Sequence, residues 1–226
     1  MTKLLHETIY YVKINKILEG QVMKSLAVFT ILLLVFFGIR HSQEPKMTLL
    51  STTETILAMG DSLTYGFQVA PKHSYPYQLS KMSGNRVINA GINGETSSEG
   101  LDRLPKLLED PSIKIMILCL GANDIIQRQS ITALKKNLKE MIQMAKGKGI
   151  RVLLVSVPNF TLFGLSDLEI YEKIAKEENV VLAPNILADI LEQPSLKIDQ
   201  VHPNALGYEQ MSKMIYARLK DEVLMN

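Results

Sequence analysis

The stretch Thr55–Thr64, T-I-L-A-M-G-D-S-L-T, decides how the rest of the chain is read. Thr55–Met59 is a short apolar run, and it stops at Gly60-Asp61-Ser62, residues that favour turns and helix caps. A run with no polar alternation fits a strand covered on both faces, as in a parallel sheet. A serine on the turn where such a strand passes into a helix presents its hydroxyl at the sheet edge. Open α/β sheets bind their ligands at that edge.

The same rhythm continues downstream. Apolar runs at Arg86–Ile92, Ile113–Leu120 and Arg151–Val157 end near Gly91 and Gly94, at Gly121 and at Pro158. A weaker fifth run begins at Val180–Leu182 and is cut by Pro184. Between them, Ile131, Leu134, Leu138, Met141, Ile142 and Ala145 follow helical spacing, with Gly147 and Gly149 as stops. Tyr208, Met211, Ile215 and Leu219 mark a last helix, with Asn204 as its N-cap. Alternating strands and helices predict an α/β fold. A mostly parallel five-stranded sheet carries helices on both faces, in a three-layer α/β/α sandwich.

Upstream, residues 1–50 carry six Lys/Arg against three Asp/Glu, whereas the remainder is slightly acidic. Leu26–Ile39 (LAVFTILLLVFFGI) is uncharged, with Lys24 before it and Arg40 after it. A bilayer span needs about 20 apolar residues, so this segment fits the apolar region of a signal peptide. FGIRHSQ offers no small-residue cleavage pattern, which keeps an uncleaved membrane anchor through residues 26–39 open. Its all-round hydrophobicity also fits a buried core helix, a third and weaker reading. Met23-Lys24-Ser25 would serve as the short basic start of a signal. Residues 1–22 therefore read as an N-terminal extension, 23–40 as signal or anchor, 41–53 as a tether and 54–226 as the folded domain. Export to the periplasm, free or anchored to the inner membrane, is the expected localisation.

Composition excludes several classes of function. The 226-residue chain has a net charge of +2, too small for a nucleic-acid footprint. Its single cysteine, Cys119, permits no internal disulfide and no cysteine-based zinc site. No H-E-x-x-H and no carboxylate cluster at ligand spacing points to a metal. Histidine chemistry must come from His6, His41, His73 or His202, and only His202 has a carboxylate three residues back, Asp199.

Four polar clusters follow the apolar runs or precede the last helix: Gly60-Asp61-Ser62-Leu63, Asn89-Ala90-Gly91-Ile92-Asn93-Gly94, Gly121-Ala122-Asn123-Asp124 and Asp199-Gln200-Val201-His202-Pro203. In that order and spacing they resemble the GDSL (SGNH) hydrolase superfamily. LGDSLTYG, INAGINGETSSEGLDRLP and LGAND are most similar to its bacterial thioesterase/lysophospholipase/arylesterase group. The resemblance spans about residues 54–223 and implies the flavodoxin-like version of the sandwich. It implies Ser62 as nucleophile, His202 as general base and Asp199 as the carboxylate that orients the imidazole. It further implies an oxyanion hole made by the N–H groups of Ser62 and Gly94 and the side-chain amide of Asn123. Gly91 is a rival for the glycine role, but Gly94, directly before Glu95-Thr96, matches the family position better. The α/β-hydrolase elbow G-x-S-x-G is absent, since Ser62 lies in G-D-S-L and Ser156 in L-V-S-V.

Blander readings exist for each piece. Ser62 could cap a helix, Asn123-Asp124 could form an Asx turn, and His202-Pro203 could merely open the last helix. Asp61 and Asp124 are read as loop-fixing residues, and Cys119 as a buried small hydrophobe. Pro158–Leu165 is unusually apolar for a loop, so Phe160, Leu162, Phe163 and Leu165 either line an acyl-binding groove or pack under the next helix. The expectation is a monomeric serine esterase that needs no cofactor. Its small-molecule substrates would be lysophospholipids, aryl esters or acyl thioesters. A carbohydrate O-deacetylase and a non-catalytic tethered binding protein are the alternatives.

Overall fold

Burial on both faces holds the central apolar runs as strands. In the computed structural model, residues 54–161 and 164–220 are described. The extension, the signal or anchor segment and the tether assigned above lie outside them. The chain divides into units Met1–Lys46 and Met47–Asn226, and every described residue belongs to the second.

Strands β1 (Thr55–Gly60), β2 (Val87–Gly91), β3 (Ile113–Cys119) and β4 (Arg151–Val155) form from the first four runs. Every residue of β1 is buried, as is all of β3 except Lys114. Two further strands, β5 (Pro158–Thr161) and β6 (Gly164–Asp167), precede β7 (Val181–Ala183). The main sheet has the order β2-β1-β3-β4-β7, with every neighbouring pair parallel. β1 pairs with both β2 and β3, aligning Gly60 with Gly91 on one side and with Cys119 on the other. The connections leave β1 toward β2 and then return across it to β3. The direction of winding therefore reverses beside β1, and a reversal of this kind creates the ligand crevice of open α/β sheets.

Right-handed crossovers then fix the layers. The short α1 (Ser62–Tyr65) and α2 (Tyr75–Ser83) follow β1. The return connections carry α3 (Ser97–Leu107), α4 (Ala122–Ile126), α5 (Ile131–Gly147) and α6 (Glu169–Glu178). After β7 come α7 (Ile186–Leu191) and α8 (Ala205–Arg218). One helical layer joins α2, α8 and α7; the other joins α3, α5 and α6. In α5, Leu134, Leu138, Met141, Ile142 and Ala145 are buried as their spacing predicts, while Ile131 in the first turn is exposed. Tyr208, Met211, Ile215 and Leu219 are fully buried, and Asn204 caps α8 by accepting from the N–H groups of Leu206 and Gly207 at 3.0 Å.

One segment departs from the sequence reading. Pro158–Leu165 is not a loop: β5 and β6 pair antiparallel as a hairpin, with Pro158 opposite Asp167 and Thr161 opposite Gly164. Proline is tolerated at the first position of a strand, and Phe and Thr favour extended backbone. Leu162 and Phe163 lie outside the described residues. Leu165 is half-buried against the core, and its N–H donates to Glu192 Oε1 at 3.1 Å.

Candidate active site

Three sheet ends and one loop deliver the predicted residues. Asp61 directly follows β1, is fully buried, and accepts from the N–H of Leu63 through Oδ1 at 3.0 Å. This cap starts α1 and fixes Ser62 in its first position. The helix ends after one turn at Gly66, whose φ of +90° suits glycine and whose N–H returns to Ser62 O. Phe67 N–H donates to the same carbonyl at 3.1 Å, and Tyr208 Oη lies 3.4 Å from it.

Ser62 Oγ lies 3.1 Å from His202 Nε2, across 140 residues of sequence. His202 Nδ1 lies 2.9 and 3.1 Å from the two carboxylate oxygens of Asp199. A carboxylate facing Nδ1 keeps the proton there, which leaves the Nε2 lone pair toward the serine hydroxyl. Asp199 Oδ1 also accepts from the N–H groups of Val201 and His202, both at 2.8 Å. Partial burial pushes the Asp199 carboxyl up. The hydrogen bonds from Val201 N–H and from the ring and N–H of His202 outweigh it, holding the group below the usual carboxylate range. The ring of Phe67 lies against the other side of this arrangement, with its centroid 4.4 Å from that of His202.

Asn123 enters from the first turn of α4, beyond β3. Its Nδ2 donates to Glu95 O at 2.9 Å and, more weakly, to Asp61 Oδ2 at 3.3 Å. Gly94 sits in the β2–α3 loop with a φ of +79°. Among the described residues, the N–H groups of Ser62 and Gly94 donate to no protein acceptor. Asp124, next to Asn123, accepts from Ser97 N and Oγ at 2.8 and 2.5 Å and so ties α4 to the start of α3. Burial pushes the Asp61 carboxyl up to about 7 against the lowering effect of the Leu63 N–H, with the charges of Glu95 and Asp124 adding to the rise.

All five predicted catalytic and oxyanion residues thus sit on the same edge of the sheet. Gly91, the rival glycine, packs instead against the backbone of α1: a Cβ there would stand 2.1 Å from Tyr65 N. Of the predicted acyl-contacting set, Phe160 and Leu165 oppose each other across the hairpin. Sequence reasoning missed a small apolar pocket lined by Leu63, Ile125, Ile126, Val157, Leu191 and Val201. Leu63 and Val201 are the chain neighbours of Ser62 and His202, a signal that could have found it. Cys119 is fully buried in β3. Among the described residues, no cluster of three His, Cys, Asp or Glu could hold a metal, and no helix is long and apolar enough to cross a membrane.

Comparison with known proteins gives the family and the fold. An arylesterase of Vibrio mimicus is 32% identical over 162 residues, covering 67% of this chain and 80% of its own. The thioesterase 1/protease 1/lysophospholipase L1 of Escherichia coli K12 is 30% identical over 161 residues, 68% of this chain and 77% of its own. The crystal structure of TesA superposes with a TM-score of 0.67 at 28% identity, covering 76% of this chain and 99% of that one. Residues 58–210 match the GDSL-like lipase/acylhydrolase family, and the chain belongs to that family.

Proposed function

We propose that the protein is a serine esterase that hydrolyses acyl esters through an acyl-enzyme. The observation that carries this reading is the relay Ser62 Oγ–His202 Nε2 at 3.1 Å and His202 Nδ1–Asp199 Oδ2 at 2.9 Å. His202 takes the Ser62 proton as Oγ attacks the ester carbonyl, and Asp199 holds the imidazole and stabilises the imidazolium. The same proton then goes to the leaving group. Water, deprotonated by His202, releases the acyl chain and restores the serine.

The tetrahedral oxyanion is held by the N–H groups of Ser62 and Gly94 and by Asn123. One amide hydrogen of Asn123 is committed to Glu95 O at 2.9 Å. The other, donated to Asp61 Oδ2 in a longer bond with Nδ2 3.3 Å away, is the one that turns to the oxyanion in exchange for that bond. The apolar pocket beside Leu63 and Val201 supports an acyl or aryl group in the site and speaks against a sugar cleft. Lysophospholipids, aryl esters and acyl thioesters are the proposed substrates, in keeping with the names of the curated relatives. Residues 23–40 are proposed to direct export, as a cleaved signal or as a retained anchor.

The test is hydrolysis of p-nitrophenyl esters from acetyl to palmitoyl by the purified full-length chain, with Ser62→Ala alongside. Ser62-dependent turnover is expected to extend beyond the acetyl ester. Absence of Ser62-dependent turnover on any ester overturns the esterase reading, and activity confined to acetyl would favour a deacetylase. N-terminal sequencing of the mature protein separates a cleaved signal from an anchor.

A further inference from the structure

Behind the oxyanion side of the site lies an ion pair that the relay does not use. Glu95 directly follows Gly94, and its side chain is 3% exposed. Both carboxylate oxygens face the Arg103 guanidinium: Oε2 accepts from Nη2 at 2.5 Å and Oε1 from Nε, in the two-pronged geometry that arginine forms with carboxylates. Nη2 also donates to Ala90 O at 2.6 Å and approaches Gly60 O at 3.4 Å, the carbonyls at the ends of β2 and β1. The main chain of Glu95 is engaged as well, because its carbonyl holds the Asn123 amide at 2.9 Å. Ile92, at the start of the same loop, donates its N–H to Gly60 O at 3.1 Å.

Local folding does not require this pair. The start of α3 is already secured by a capping box between Thr96 and Glu99 and by the bonds from Ser97 to Asp124. Buried ion pairs are also a poor source of net stability, since desolvation offsets their attraction. What the pair does do is fix distances. Arg103 projects from α3 and ties the ends of β1 and β2 to Glu95. That one residue neighbours Gly94 in the chain and carries Asn123 on its carbonyl.

We infer that Glu95 and Arg103 are positioning residues for the oxyanion hole, setting the Gly94 N–H and the Asn123 amide at the spacing that the tetrahedral intermediate needs. The inference rests on the esterase reading. Neither residue touches the reacting atoms, so their effect falls on the transition state and not on substrate binding.

The test measures kcat and KM on p-nitrophenyl butyrate for Glu95→Gln, Arg103→Met and Arg103→Lys in the full chain, with folding checked by circular dichroism. Glu95→Gln and Arg103→Met are expected to lower kcat by about 10- to 100-fold, the scale of a small misplacement of catalytic groups, with KM changed by less than about threefold. Arg103→Lys keeps the charge, loses the fork and should fall between. In an Asn123→Ala background, Glu95→Gln should keep only the part of its effect that passes through the Gly94 N–H, so the double variant should lose less than the product of the two single losses. Unchanged kcat in folded Glu95→Gln overturns the inference, as does a full multiplicative loss in the Asn123→Ala background. Should Arg103→Met not fold, Glu95→Gln and Arg103→Lys decide. Wild type and Ser62→Ala that are equally inactive overturn the esterase reading, and the inference with it. An active wild type matched by its variants overturns the inference alone.

Discussion

The rings of Phe67 and His202 lie 4.4 Å apart, centroid to centroid, with their planes inclined by 37°. Phe67 is brought there by the abrupt end of α1, where Gly66 turns the chain and the Phe67 N–H returns to Ser62 O. The Phe67 ring packs on one side of the imidazole and limits how far it can turn away from Ser62. At about 0.5–1.5 kcal/mol for an aromatic pair, Phe67→Leu should lower kcat by roughly 2- to 12-fold, while Phe67→Tyr retains most of it. Steady-state kinetics on a p-nitrophenyl ester checks this; equal kcat for Phe67→Leu and wild type would refute it.

Asn123→Ala removes one of the proposed oxyanion donors and leaves the Ser62–His202–Asp199 contacts intact. Its kcat should drop by about 10²–10³ with little change in KM. Ser62→Ala should fall further, because it removes the nucleophile itself. A smaller loss for Ser62→Ala than for Asn123→Ala would reverse the assignment of roles.

Asp61 should make the folded domain less stable as pH rises. Burial pushes its carboxyl up to about 7, against about 4 in the unfolded chain. Between these values the folded state keeps a proton that the unfolded state has lost, so stability falls through that window and levels above it. Asp61→Asn has no such slope. From pH 5 to pH 8, wild type should lose roughly 2–3 kcal/mol relative to the variant in urea unfolding. Parallel pH profiles would show that the carboxyl ionises normally.

Gly91 and Gly94 should respond differently to alanine. At Gly91 the new methyl meets Tyr65 N at 2.1 Å and Thr64 C at 2.6 Å, backbone atoms of the helix that carries Ser62. At Gly94 nothing lies within 4 Å, and only the positive φ resists. Gly94→Ala should fold with a loss of about 1–2 kcal/mol. Gly91→Ala should be far less stable or fail to accumulate, as thermal melts of the two would reveal. Equal melting temperatures would contradict the close approach of β2 to α1.

The five sheet strands were legible because each is a short, mainly apolar run, and β1 and β3 are almost wholly buried. The α5 face and the Asn204 cap were legible because helical spacing and capping chemistry are local. The hairpin of β5 and β6 was not, since four-residue strands carry too few residues to show a period. The Glu95–Arg103 pair also escaped notice. Its partners include the carbonyls of Gly60 and Ala90, which depend on the alignment of β1 with β2 and leave no mark on the sequence. The contact of Phe67 with His202 was hidden for the same reason: nothing near either residue announces the other. The five proposed catalytic and oxyanion positions could be named only because family resemblance supplied their roles; spacing alone left Gly91 and Gly94 as rivals.

The separation of 140 positions between Ser62 and His202 also orders events in time. Ribosomes deliver the chain from its N-terminus, so the serine turn is made long before its base exists. An unfinished or clipped chain that stops short of residue 202 would carry an intact GDSL turn and no means of activating it. Under the proposed mechanism, the serine can be activated only after the segment that carries His202 and leads into α8 has joined the sheet edge.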